Sequence, residues 1–178
     1  MRSSGTDLPP FVVRAALPHD APALAGLIDD LNRFVGAGTG AMSAQKLVRD
    51  GMGPQKRFSL LVAEMQDRLV GYAAWHEAYE TEHGGAGIFL IDLFVVADMR
   101  RRGVARALMA GVAAAGSDIG AVFMSWTSIP SNAGAHAAYH ALGAVAEPMI
   151  VHHLSGPSLS ALADQGAAHR APRHKEKG

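Results

Sequence analysis

Ile88-Phe89-Leu90-Ile91-Asp92-Leu93-Phe94-Val95-Val96, followed three residues later by Arg100-Arg101-Arg102-Gly103-Val104-Ala105, is the stretch that decides how this chain folds. The first run is apolar except for Asp92 and reads as a buried strand. Ala105 to Ala115, beyond the arginines, is rich in strong helix formers and reads as a helix. A strand, a basic glycine-bearing turn and a helix together make an anion site. The first N–H groups of a helix have no internal acceptor, and they lie at the positive end of its dipole. Phosphate groups bind such ends. Gly103 lets a ligand approach the backbone closely, and the arginines add attraction.

Around this centre the elements follow in order. Phe11 to Ala16 reads as a strand. Pro18-His19-Asp20-Ala21-Pro22 is a helix entry with Asp20 placed to cap. Leu24, Leu27, Ile28, Leu31 and Val35 recur at helical spacing until Gly36-Ala37-Gly38-Thr39-Gly40 ends the helix. That glycine-rich string follows a helix, not a strand, so it lacks the context of a phosphate loop and reads as a mobile connecting loop. A short helix is expected from Ser43 to Asp50. Phe58 to Glu64 and Arg68 to Ala78 read as a hairpin turning at Met65-Gln66-Asp67. After the central strand and helix, Ala121 to Thr127 reads as a strand and Asn132 to Leu142 as a helix. Val145 to Leu154 is expected to return as a final strand. The alternation predicts an α/β domain with a mixed sheet, parallel where a helix connects two strands. It is expected to span 11–154, after a disordered 1–10 and before a tail, 155–178, holding a short helix at best.

A chain of 178 residues suits one well-buried domain, and 49% of its residues are apolar. Sixteen basic residues balance sixteen acidic ones, which argues against a general nucleic-acid surface. With no cysteine there are no disulfides, no thiolate nucleophile and no cysteine-based zinc site. No apolar run reaches membrane-spanning length and no signal segment is evident, so a cytoplasmic protein is expected.

The Arg-x-x-Gly-x-Ala pattern at the strand-to-helix turn resembles the acetyl-CoA motif of the GNAT superfamily of N-acetyltransferases. Asp92-Leu93-Phe94-Val95-Val96 is similar to that family's fourth strand. Asn132, Tyr139 and Gly143-Ala144 resemble its last helix with the glycine that ends it. The likeness runs from about Phe11 to Leu154. It implies a bulged strand that splays from the next into a V-shaped opening between the fourth and fifth strands, with helices on both faces of the sheet. It also implies acetyl-CoA as acyl-donor cosubstrate, with Arg101, Arg102, Gly103, Val104, Ala105 and Arg106 holding the diphosphate. Phe94, Val95 and Val96 would offer backbone groups to the pantetheine arm. No metal is expected.

Tyr139 and Asn132, seven residues apart, share a helix face about 10 Å long. The resemblance makes Tyr139 the acid that protonates the departing thiolate and Asn132 a CoA contact. By residue type alone, Asn132 is also an ordinary N-cap and Tyr139 an ordinary amphipathic residue. The acceptor ammonium must lose a proton before it attacks, which costs about 4.6 kcal/mol at pH 7 for a lysine-like amine. Asp92 and Glu77 are the candidate bases, and either could equally be a structural carboxylate. In relatives resembling diamine acetyltransferases the helpful acid stands one position earlier, where this chain has Ile91. His136 and His140 are one helical turn apart but lack a third ligand, so they read as surface residues. The expected activity is acetyl transfer from acetyl-CoA to a small primary amine, such as a polyamine or amino acid, with a homodimer as one expectation. Alternatives are a protein, peptide or aminoglycoside acceptor, or a CoA-binding module without turnover.

Overall fold

The computed structural model describes residues 11–168. The disorder expected for 1–10 and the last part of the 155–178 tail lie outside that range. The central sheet is strung from five strands in the order β1 (Val12–Ala15), β2 (Ser59–Met65), β3 (Arg68–Glu80), β4 (Gly85–Val95) and β5 (Phe123–Trp126). The first four pair antiparallel. β5 joins β4 in parallel, as the intervening helix α3 (Val104–Asp118) requires. Gln66 and Asp67 both take positive φ, the mark of a two-residue hairpin turn that matches strand twist.

Helices cover both faces. Val104, Leu108, Met109 and Val112 of α3 pack on Val70, Ala73, Trp75, Ile88, Leu90 and Val95. The opposite face receives α1 (Ala21–Val35) and α2 (Ala44–Leu47), whose Leu24, Leu27, Ile28 and Leu47 bury Leu60, Val62, Tyr72, Ala74 and Phe94. α1 ends where expected, because Gly36 adopts φ 76° and the Ala37 N–H closes back on the Asn32 carbonyl. α2 is capped by the Ser43 side chain and runs on into a π-turn at Val48–Met52.

Asp20 serves as more than a local cap. Its carboxylate accepts two bonds from the Arg14 guanidinium, at 2.7 and 2.9 Å, and one from the Leu17 N–H at 2.7 Å. Arg14 also donates to Glu64 at 2.6 Å, so one guanidinium ties β1, β2 and the start of α1 together. These bonds, those from Arg14 foremost, hold the Asp20 carboxyl below its ordinary value. Its contribution to stability is therefore complete above the unfolded carboxylate range and lost as pH falls through the depressed folded value. Asp20→Ala, which strands the arginine, is expected to lower unfolding free energy by about 2–3 kcal/mol in urea titrations at neutral pH. A loss below about 0.5 kcal/mol would show that the cluster holds nothing together.

The β3–β4 register positions the site. Ala74 faces Asp92 but Trp75 faces Leu90, leaving Ile91 as an extra residue on β4. This bulge swaps the faces of everything beyond it. Ile88, Leu90, Leu93 and Val95 point toward α3, whereas Asp92 and Phe94 point toward α1. Strict alternation would have placed Asp92 among the apolar side chains under α3.

The chain divides into two compact units, one ending at Leu142 and the other beginning at Gly143. The first ends with α4 (Ala133–His140). In the second, the strand expected over Val145 to Leu154 does not form: 144–155 has no ladder partner, and regular structure resumes only in α5 (Gly156–Ala168). Pro148 lies inside the expected strand, where it has no N–H to give to a ladder. Valine and isoleucine favour strands only where a partner strand receives them.

Candidate active site

Met99 and Val104 are buried, 2% and 1% exposed, and pin both ends of a loop whose middle stands in solvent. Arg101 (φ 60°) and Gly103 (φ 84°) both take left-handed backbone to make the turn. A Cβ at Gly103 would meet nothing within 4 Å, so the space above it is open. No side chain caps α3, and its first internal bond runs from the Ala107 N–H to the Gly103 carbonyl. The N–H groups of Val104, Ala105 and Arg106 are therefore left without an intrahelical acceptor. A fifteen-residue helix that begins without Ser, Thr, Asp or Asn is open to an anion in place of a cap. Among the described residues, Arg101, Arg102 and Arg106 enter no ion pair.

Arg100 behaves differently from its neighbours. The nearby Asp98 carboxylate pairs with Arg68 at 2.8 Å and not with Arg100. Arg100 instead donates from Nε to the Val95 carbonyl at 3.0 Å, with its guanidinium 5.4 Å from the Phe34 ring centroid and 5.9 Å from that of Phe94. It braces the loop against α1 and β4.

β5 pairs with β4 only from Gly87 to Leu90, opposite Phe123 to Trp126. Past the Ile91 bulge, β4 keeps β3 on one side and, among the described residues, has no strand on the other. The Val96 N–H donates to the Val70 carbonyl, so alternation turns Phe94 toward β3 and Leu93 and Val95 toward the open edge. The side chains of Phe94 and Val95 are each 8% exposed and belong to the two cores. Of the three backbone positions expected to meet a ligand, Val95 has its N–H on the open edge and Val96 has its N–H already engaged.

Trp126 marks the point where β4 and β5 part, and Tyr139 meets it edge-on, with centroids 5.1 Å apart and planes at 68°. Tyr139 is half-buried, and burial pushes its phenol above the ordinary value, which keeps it protonated and able to donate. Asn132 caps α4, its Oδ1 accepting from the Ala135 N–H at 3.2 Å. Asp92, turned by the bulge, accepts from the Tyr72 hydroxyl at 3.1 Å. Burial raises the Asp92 carboxyl, and the Tyr72 bond partly offsets that rise. The Tyr72 phenol is raised well above its ordinary value by burial, helped by the carboxylate, so it remains a donor.

Glu77 lies elsewhere. It pairs with Ile88 and so belongs to the α3 side of the sheet, opposite to Asp92, and it is exposed. The structure does not bring the two candidate carboxylates together. Tyr72, Trp126 and Phe34 were not legible as site residues, because each acquires its neighbour only through register or tertiary packing. The polar tip of Tyr72 within an apolar run was the one available signal. His136 shares a hydrogen bond with Ser128 at 3.0 Å, and among the described residues no group of three or more His, Asp or Glu side chains is arranged to hold a metal. A separate cavity of about 540 Å³ is lined by Arg14, His19, Asp20, Glu64 and Arg68, outside the residues of this opening. No helix of the described residues is long and apolar enough to cross a membrane.

Comparison with known proteins agrees with this architecture. Residues 26–144 match the acetyltransferase (GNAT) family. No curated protein matches the chain. Among solved structures, an aminoglycoside acetyltransferase from an uncultured soil metagenomic sample, in complex with sisomicin, superposes with a TM-score of 0.67 at 16% identity, covering 83% of this chain and 96% of that one. The ribosomal-protein-alanine N-acetyltransferase of Brucella melitensis biovar Abortus 2308 gives 0.66 at 19% identity, with 81% and 99% covered. A second aminoglycoside N-acetyltransferase, solved with CoA, gives 0.67 at 20% identity, with 82% and 94% covered. A match that spans more than half of the chain, on a sheet opened by a bulge beside an uncapped helix, places the family: the chain belongs to the acetyltransferase (GNAT) family of acyl-transferring enzymes.

Proposed function

We propose that this protein transfers an acetyl group from acetyl-CoA to a small primary amine. One observation carries the reading: the uncapped start of α3 lies next in sequence to the one stretch of β4 that has a free edge. Diphosphate would rest on the N–H groups of Gly103, Val104, Ala105 and Arg106, with Arg101 and Arg102 as countercharges. A peptide-like arm could then run along Leu93 and Val95 as an added strand. Asn132, at the cap of α4, would be a further contact for that arm. Bound acetyl-CoA supplies an acetyl thioester as the electrophile.

The remaining work falls to the chain. Asp92, directly or through water, takes the proton that an attacking ammonium must lose. The Val95 N–H faces the charge that develops on the carbonyl oxygen. As the carbon–sulfur bond breaks, Tyr139 gives its proton to the sulfur, and the second proton that the nitrogen sheds on becoming an amide restores the phenol. Glu77, on the opposite face, acts in this scheme only through its charge. Two fold relatives act, by their names, on aminoglycosides and one on a ribosomal protein's alanine, so the primary amine is the shared chemistry.

Release of free thiol from acetyl-CoA, dependent on added amine, tests the reading. An absence of any thermal shift with CoA would refute it. The role of Asp92 has its own signature. A base works when deprotonated, and burial raises this carboxyl, so activity should fall on the acid side at a pH above the ordinary carboxylate range. Asp92→Asn should lower kcat by about tenfold to a hundredfold and abolish that acid limb. The same change should leave stability at neutral pH equal or slightly raised, because a raised carboxyl is destabilising once ionised. An acid limb unchanged in Asp92→Asn would assign it to another group.

A further inference from the structure

We propose that Arg100 is a positioning residue that sets how a ligand chain can pair along the open edge of β4. The inference rests on the acetyltransferase reading above and adds what fixes the register of the cofactor's arm. A strand residue presents its N–H and its C=O toward the same neighbour. The Val96 N–H donates to the Val70 carbonyl on β3, so both backbone groups of Leu93 and of Val95 face away from β3. Pairing with β5 stops at Leu90, short of both residues. Among the described residues the Leu93 N–H and C=O and the Val95 N–H have no partner on that edge. The Val95 C=O does, because the Arg100 Nε–H donates to it at 3.0 Å.

The guanidinium is held where it is. It lies 5.4 Å from the Phe34 centroid and 5.9 Å from that of Phe94, so α1 and β4 both grip it. Only a planar guanidinium can rest on rings while an N–H donates within its own plane. Asp98 does not draw it away, since Arg68 already engages that carboxylate. The cradle does not need this side chain either. Met99 and Val104, both buried, anchor the loop on either side of it. What Arg100 adds is occupancy of one backbone acceptor.

That occupancy limits what can bind beside it. A peptide-like arm can exchange two bonds with Leu93 but can only accept from Val95. An arm displaced along the edge would set an amide N–H against the Val95 C=O and find it taken. A donor enclosed without an acceptor is costly, so that register is disfavoured. The open edge thereby has a defined end, and the reacting carbonyl a defined place along it.

The test compares the wild type with Arg100→Lys, Phe34→Leu and Asp98→Asn. It measures affinity for CoA, affinity for 3′-phospho-ADP, which carries no arm, and acetyl transfer to 1,4-diaminobutane, L-lysine and sisomicin. Lysine keeps the charge at position 100 but loses the flat face and the in-plane donor. Arg100→Lys should lower kcat by about tenfold or more, with both affinities within about threefold. Phe34→Leu, at a half-exposed site that the fold does not need, keeps the bond but loses one ring and should lower kcat by about threefold. Asp98→Asn removes the other, exposed brace of the same loop and should stay within about twofold. A kcat within about twofold of wild type in Arg100→Lys overturns the inference. A parallel tenfold loss of both affinities also overturns it, because Arg100 would then be a phosphate contact. So does an equal fall in Asp98→Asn, which would mean general loosening of the loop. CoA binding without turnover of any of the three amines overturns the positioning role, and a wild type that binds no CoA overturns the underlying function as well.

Discussion

Tyr139→Phe is expected to lower kcat for acetyl transfer by about a hundredfold or more, while the affinity for CoA stays within about twofold. The substitution removes one oxygen and leaves the ring, so the edge-on contact with Trp126 survives. What disappears is the proton. A phenol raised by burial stays protonated across the working range, so no acid limb should come from Tyr139, and its own alkaline limb should lie above the ordinary tyrosine value. Single-turnover kinetics separates acetyl transfer from product release, and calorimetry gives the CoA affinity. A rate unchanged in the variant would remove Tyr139 from the chemistry. A variant that loses CoA binding instead would make the residue part of the cofactor wall. The measurement also separates an enzyme from a CoA-binding module, because only an enzyme has a departing sulfur to protonate.

Gly103→Val is expected to weaken acetyl-CoA binding by about a hundredfold or more at a stability loss of only about 1–2 kcal/mol. The two effects have separate origins. At φ 84° a β-branched residue strains the backbone, but its Cβ would touch no other part of the protein. The fold therefore loses only that conformational term. The ligand loses more, because the new methyl groups project into the space where phosphate must approach the N–H groups. A rise in KM for acetyl-CoA with a nearly normal melting temperature is the expected pattern. Equal and large losses of both would mean that Gly103 is needed for the fold and not for phosphate. An unaltered KM would place the diphosphate elsewhere.

Arg100 shows why neighbours in sequence need not share a task. It belongs to the same basic run as Arg101 and Arg102, yet its guanidinium turns inward to the Val95 carbonyl and two phenyl rings. A local pattern reports which groups are near each other along the chain. It does not report which way a side chain turns once helices and strands have packed.

The strands β1 to β5, the helices α1 to α4 and the basic turn were legible in the residues, because each depends on local causes: apolar spacing, glycine and turn chemistry. The uncapped start of α3 behind the basic turn was legible too, since no Ser, Thr, Asp or Asn stands there to cap it. Three things were decided only by tertiary structure. Pairing between strands determined that Ile91 is an extra residue, and this put Asp92 on the face opposite Glu77. Packing across α4 and β5 gave Tyr139 its partner in Trp126. Val145 to Leu154 had the composition of a strand but no neighbouring strand to receive it, and Pro148 withheld a donor. Register, side-chain direction and strand pairing all depend on what lies across the gap, which the order of residues along one chain does not contain.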